Sequence, residues 1–179
     1  MKMYKVGDLI LYGSTGVCRV DDITHDVPGR EGQDQLYYVL TPLYQDFTIY
    51  VPTDTTKVFM RPIISRDEAE ELIKGIPEMH VDAYSGRNMN KLARHYEASM
   101  ETYDCHELLE VCISTYAKKQ AAEKQNRKLG AIDEKYMKRA EDLLFGELAA
   151  ALGVDRDQVN EYVVEKINRD YLGSEDYSN

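Results

Sequence analysis

Two hydrophobic rhythms divide this chain. Up to about Ser65 the apolar and β-branched residues come in short runs of four to six, bounded by glycine, proline and polar clusters. Beyond it they recur at helical spacing. The first part predicts five short strands: Leu9–Tyr12, Val17–Val20, Leu36–Thr41, Phe47–Val51 and a short one within Met60–Ile64. Gly13 and Gly16 lie between the first two runs and suit a tight reversal. Residues 27–34 form a polar turn cluster, and residues 42–46 a loop of hairpin length. Pro52 and Pro62 cannot donate to a ladder, so they belong at strand ends or edges.

The second part predicts about five helices. Ser65-Arg-Asp-Glu68 has the form of a capping box, and the first helix ends near Gly75 with Pro77 behind it. Residues 78–88 read as a loop, followed by a second helix over roughly 89–102. Asp104-Cys-His-Glu107 repeats the capping pattern and opens a third helix to about Asn126. Its stripe is Leu108, Val111, Cys112 and Thr115. A fourth helix, Asp133–Leu152, carries Met137, Ala140, Leu144, Leu148 and Ala151 on one face and stops at Gly153. Asp155 with Gln158 starts a fifth, striped by Val159, Val163 and Ile167. The expected fold is α+β: a small five-stranded SH3/Tudor-like barrel over 1–64, then a compact helical bundle over 65–172. A polar, disordered tail is expected over 173–179.

Charge changes this picture. The chain is acidic, at −10 overall, which argues against non-specific coating of DNA. Yet Tyr116–Arg139 holds eight bases against three acids, a local +5. Its Lys118, Lys119, Lys124, Arg127, Lys128 and Lys135 are candidates for phosphate contact. The plainer reading is a solvated pair of helix ends.

Chemistry adds little. Three cysteines without a CxxC pattern suit a reduced, cytoplasmic protein. No stretch has the form of a signal peptide or is long enough to span a bilayer. Metal binding is disfavoured: Cys105 and His106 are adjacent and diverge on a helix, and Cys112 belongs to an apolar stripe. GxSxG, Walker A and HExxH patterns are absent, and the acidic pairs sit at helix starts, where capping accounts for them. No catalytic residues, metal or cofactor are expected.

The order of motifs carries a resemblance. Tyr4-Lys-Val-Gly-Asp8, Leu11-Tyr12, Gly16-Val17, Tyr37-Tyr-Val-Leu40, Val51-Pro52 and Met60-Arg61 are similar to the polymerase-interacting domain shared by the CarD/CdnL transcription regulators and the transcription-repair coupling factor. Arg94-His-Tyr96, Glu107-Leu-Leu-Glu-Val111, Lys128-Leu129, Lys135 and Ala140–Leu148 resemble the helical half of CarD/CdnL proteins. The resemblance implies a non-catalytic regulator that docks on the RNA polymerase β subunit. It further implies contact with promoter DNA at the upstream edge of the bubble, within the polymerase complex, modulating open-complex stability. It places polymerase contacts at Phe47, Thr48, Ile49, Tyr50 and Val51, and at Asp26. Tyr50 stands where relatives carry arginine, and Asp26 where some carry a basic residue. Leu92 occupies the position of the family's DNA-wedge tryptophan, and Arg94 is placed to meet a phosphate. Glu97 stands at a position that is basic in a relative and would repel one. Weak DNA contact and a monomer are therefore expected. An adaptor that binds polymerase or another protein without touching DNA is the alternative.

Overall fold

The computed structural model describes residues 3–175, with side chains through Arg169. The chain divides into two compact units, Met1–Ile64 and Ser65–Asn179.

The first unit is a five-stranded antiparallel sheet. Its strands are β1 (Leu9–Tyr12), β2 (Gly16–Thr24), β3 (Tyr37–Pro42), β4 (Ile49–Pro52) and β5 (Met60–Pro62), in the order β4-β3-β2-β1-β5. A single 3-10 turn, Gly13–Thr15, joins β1 to β2. Gly13 (φ 46°) and Gly16 (φ 90°) both take the left-handed region there, where a Cβ would be strained. β2 runs four residues beyond the predicted Val17–Val20. The extension is possible because its register slips between Val20 and Asp22, and a bulge carries the strand on to pair Thr24 with Tyr37. Ile10, Cys18, Val20, Tyr38, Leu40 and Val51 form the core, flanked by Tyr4, Tyr12, Ile23, Ile49 and Met60. With tryptophan absent, tyrosine supplies the aromatic packing. The Tyr4 and Tyr38 rings tilt together at 5.7 Å, and the Tyr4 N–H donates to the Tyr38 hydroxyl at 3.1 Å.

The second unit holds α1 (Arg66–Gly75), α2 (Met89–Met100), α3 (Cys105–Lys124), α4 (Ala131–Leu152) and α5 (Val159–Glu175). Their starts follow from local chemistry. The Glu68 N–H donates to Ser65 Oγ at 3.1 Å while the Ser65 N–H donates to Glu68 Oε2 at 2.7 Å, completing the capping box. Asn88 caps α2 by accepting from the Asn90 and Lys91 amides, and Asp104 caps α3 by accepting from those of His106 and Glu107. Leu108, Val111, Ala140, Leu144, Leu148 and Val159 are buried as their spacing requires.

Several details differ from expectation: α2 ends at Met100 and α3 at Lys124, each two residues early. α4 starts two residues early, at Ala131, because Gly130 already accepts from the Glu134 amide. Asp155 makes no side-chain cap, and a 3-10 turn, Arg156–Gln158, leads into α5. α5 continues through Gly173 to Glu175, where the tail was expected to have begun. Residues 176–179 lie outside the described residues.

Candidate interaction sites

In the first unit the candidate site is a sheet edge. Among the described residues β4 pairs only with β3, so its other side ends the ladder. The Thr53 N–H donates to the Leu36 carbonyl at 2.9 Å, which fixes the phase of the pairing. Residues 49, 51 and 53 turn their main-chain groups toward β3, and Tyr50 turns its N–H and C=O outward. Side chains alternate in the perpendicular direction. Val51 is buried and Ile49 packs against the same core, while Tyr50 is 41% exposed. Phe47 (47% exposed) and Thr48, expected within this strand, instead precede it and are exposed. An outward-facing pair of main-chain groups, with exposed aromatic rings on Tyr50 and on Phe47 just before the strand, can accept an added strand.

Asp26 lies elsewhere. It follows β2, its N–H donates to Thr24 Oγ1 at 3.0 Å, and its side chain is exposed. Thr24 pairs with Tyr37 and Tyr37 with Pro52, whereas Phe47 precedes Ile49 at the other end of the β3–β4 pair. The register therefore separates Asp26 from Phe47.

In the second unit the basic candidates fall into two groups. Lys119 and Lys124 on α3, Arg127 and Lys128 in the turn, and Lys135 on α4 are exposed around the α3–α4 connection. Lys118 is different. Its side chain is only 18% exposed, with Nζ 2.6 Å from Asp133 Oδ1 and 3.1 Å from the Tyr84 carbonyl oxygen. Its ammonium is held in an internal ion pair, whereas the other basic candidates of this stretch are exposed. The Tyr96 hydroxyl donates to the same Asp133 oxygen at 2.5 Å. Burial and that carboxylate together push the Tyr96 phenol far above its ordinary pKa.

Leu92 also departs from its expected part. It is 4% exposed, and its side chain is buried within the helical unit. Apolar surface at the start of α2 comes instead from Met89, one turn earlier and 53% exposed. Sequence alone gave no reason to single out Met89, since its exposure depends on how α2 packs. Arg94 is exposed on α2. Glu97, expected to repel phosphate, accepts from the Tyr136 hydroxyl at 2.7 Å and pairs with Arg139 at 3.1 Å. The Tyr136 hydrogen bond, then Arg139, hold its pKa below the ordinary value. Its charge is matched by a neighbour.

The cysteines are enclosed. Cys18 and Cys105 are buried and Cys112 is half-buried. Burial raises the Cys18 thiol to about 11, and burial with Glu141 nearby raises Cys112 to about 12. Among the described residues, no group of three or more His, Cys, Asp or Glu is placed to hold a metal ion. No helix among them is long and apolar enough to cross a membrane.

The comparison with known families bears on the first unit. A family model described as the CarD-like/TRCF RID domain matches residues 4–64, about a third of the chain. The match spans all five strands, the β4 edge included. A domain of this kind is a protein-interaction module and supports interaction with RNA polymerase. Residues 4–64 therefore match the CarD-like/TRCF RID domain, a domain of the RNA-polymerase-interacting type.

Proposed function

We propose that the chain is a non-catalytic transcription regulator that docks on the RNA polymerase β subunit through the β4 edge. Ile49, Tyr50 and Val51 of β4, with Phe47 and Thr48 just before it, supply the contact, and Asp26 contributes from the far end of the β3–β4 pair. The observation that carries this reading is the outward-facing main chain of Tyr50, lying within a domain of the polymerase-interacting type. Main-chain pairing tolerates the loss of a basic side chain at position 50, because it uses N–H and C=O groups.

The helical unit, on this proposal, meets promoter DNA near the upstream edge of the bubble through Lys119, Lys124, Arg127, Lys128 and Lys135, with Arg94 as a further phosphate contact. The acidic remainder of the chain keeps that contact weak outside the polymerase complex. Preferential binding to one promoter state shifts the open-complex equilibrium by the difference in affinity between states.

Tyr50→Pro tests the first half. Proline removes the outward N–H while the β3-facing bonds of Ile49 and Val51 remain. Loss of one main-chain hydrogen bond, with its partner carbonyl left unmatched, raises the polymerase Kd by about tenfold or more. An unchanged Kd with a folded domain refutes edge docking. A Lys124/Arg127/Lys128 reversal to glutamate tests the second half through open-complex lifetime. Unchanged lifetime with intact polymerase binding identifies the chain as an adaptor that does not touch DNA.

A further inference from the structure

A cavity of about 380 Å³ opens in the helical unit where the first turns of α2 and α4 meet Lys118. Its volume lies in the range of small-ligand sites. Leu92 and Ile132 supply apolar wall, and the exposed Met89 stands at the rim. Polar groups converge on the same space. Lys118 carries three N–H donors and spends two, on Asp133 and on the Tyr84 carbonyl. Both bonds received by Asp133 fall on Oδ1, which leaves Oδ2 as an acceptor on the wall. Gly130 keeps that oxygen open: a Cβ added there would sit 3.2 Å from it. Arg87 adds positive charge, and α4 begins with no side-chain cap on its first-turn amides.

We propose that this cavity is a binding site for a nucleotide whose base carries an exocyclic amino group. The flat base lies against Ile132 and the exposed Met89, its amino group donates to Asp133 Oδ2, and its phosphate faces Arg87 and the open amides of α4. Apolar faces combined with hydrogen bonds to the base edge are what an unstacked base needs. The same chemistry is offered by a free mononucleotide and by an unpaired base of a strand. The assignment does not depend on polymerase docking or on the lysines of the α3–α4 connection.

The test uses the isotopically labelled full chain and follows its backbone amide resonances. The probes are deoxyadenosine monophosphate, the same nucleotide with unsubstituted purine, and single-stranded oligothymidine with or without one central dA. The expected result is saturable shifts around Gly130–Asp133 and Met89 with the amino-bearing probes, at a Kd on the order of millimolar or tighter. Gly130→Ala, whose methyl crowds Asp133 Oδ2, weakens binding about tenfold, and Met89→Glu, at an exposed site, weakens it by repelling the phosphate. Response to the mononucleotide alone supports a free effector, and response to the dA strand alone supports capture of a strand base. The proposal is overturned if neither probe binds, if the unsubstituted purine binds equally well, or if both variants bind like the parent.

Discussion

Replacing Lys118 with methionine separates a structural lysine from a surface one. The Lys118–Asp133 pair is 2.6 Å long, with side chains 18% and 9% exposed. Methionine fills a similar volume but leaves the Asp133 carboxylate enclosed without its cation. Removing one partner of a buried pair destabilises by about 3–5 kcal/mol. Two features moderate that value here. Lys118 keeps some contact with water, and the Tyr96 hydroxyl continues to donate to Asp133. About 2–3 kcal/mol is expected, which for a unit of this size is a fall in Tm on the order of 10 °C. Urea unfolding followed at 222 nm reads this directly, because the α-helices among the described residues all lie in the second unit. Lys128→Met, at an exposed position in the same basic stretch, is the control and should stay within about 0.5 kcal/mol of the parent. Adding Asp133→Asn to Lys118→Met should recover part of the loss, since no unmatched charge then remains. Equal midpoints for Lys118→Met and Lys128→Met would refute the assignment of Lys118 to an internal pair.

Other outcomes follow from the same geometry. Leu92→Ala should destabilise the helical unit by about 2–5 kcal/mol in denaturant, as a large-to-small change in a core, whether or not DNA is present. Ser65→Ala removes the capping box of α1 and should cost about 1 kcal/mol by the same measurement. The Tyr162 hydroxyl donates to Glu70 Oε1 at 2.5 Å, and Lys166 lies 3.3 Å from Oε2. The Tyr162 bond first, then Lys166, hold the Glu70 pKa below its usual value of 4.5. That stability is present above the unfolded pKa and is lost as pH falls through the depressed one, so Tyr162→Phe should flatten the acid limb of a stability–pH curve. Thiol titration at neutral pH should find Cys18 and Cys112 slow in the native protein and fast in denaturant.

The elements were legible because their signals are local. A capping box needs four residues, a helical stripe needs two turns, and a strand needs a short β-prone run. Ser65 with Glu68, Asp104, Gly153 and the Leu108–Val111 stripe are where those patterns place them. The extent of β2 was not legible, because its bulge depends on pairing with a strand thirteen or more residues away. The basic stretch was visible as composition, but composition does not distinguish Lys118, turned toward Asp133, from Lys119 beside it. Leu92 and Met89 lie three residues apart on α2, and both are apolar. Only the packing of α2 against its neighbours buries one and exposes the other.

By itself, then, the sequence determined the change from strands to helices, the starts of α1, α2 and α3 and most of the core, since each depends on near neighbours and on hydrophobic period. The tertiary structure decided which groups are available. It set the phase that turns the Tyr50 main chain outward, matched Glu97 with Arg139, and drew Lys118, Asp133 and Gly130 around one cavity. The physical reason is that burial and pairing join residues distant along the chain, and no local pattern records which partner a charge or an edge will meet.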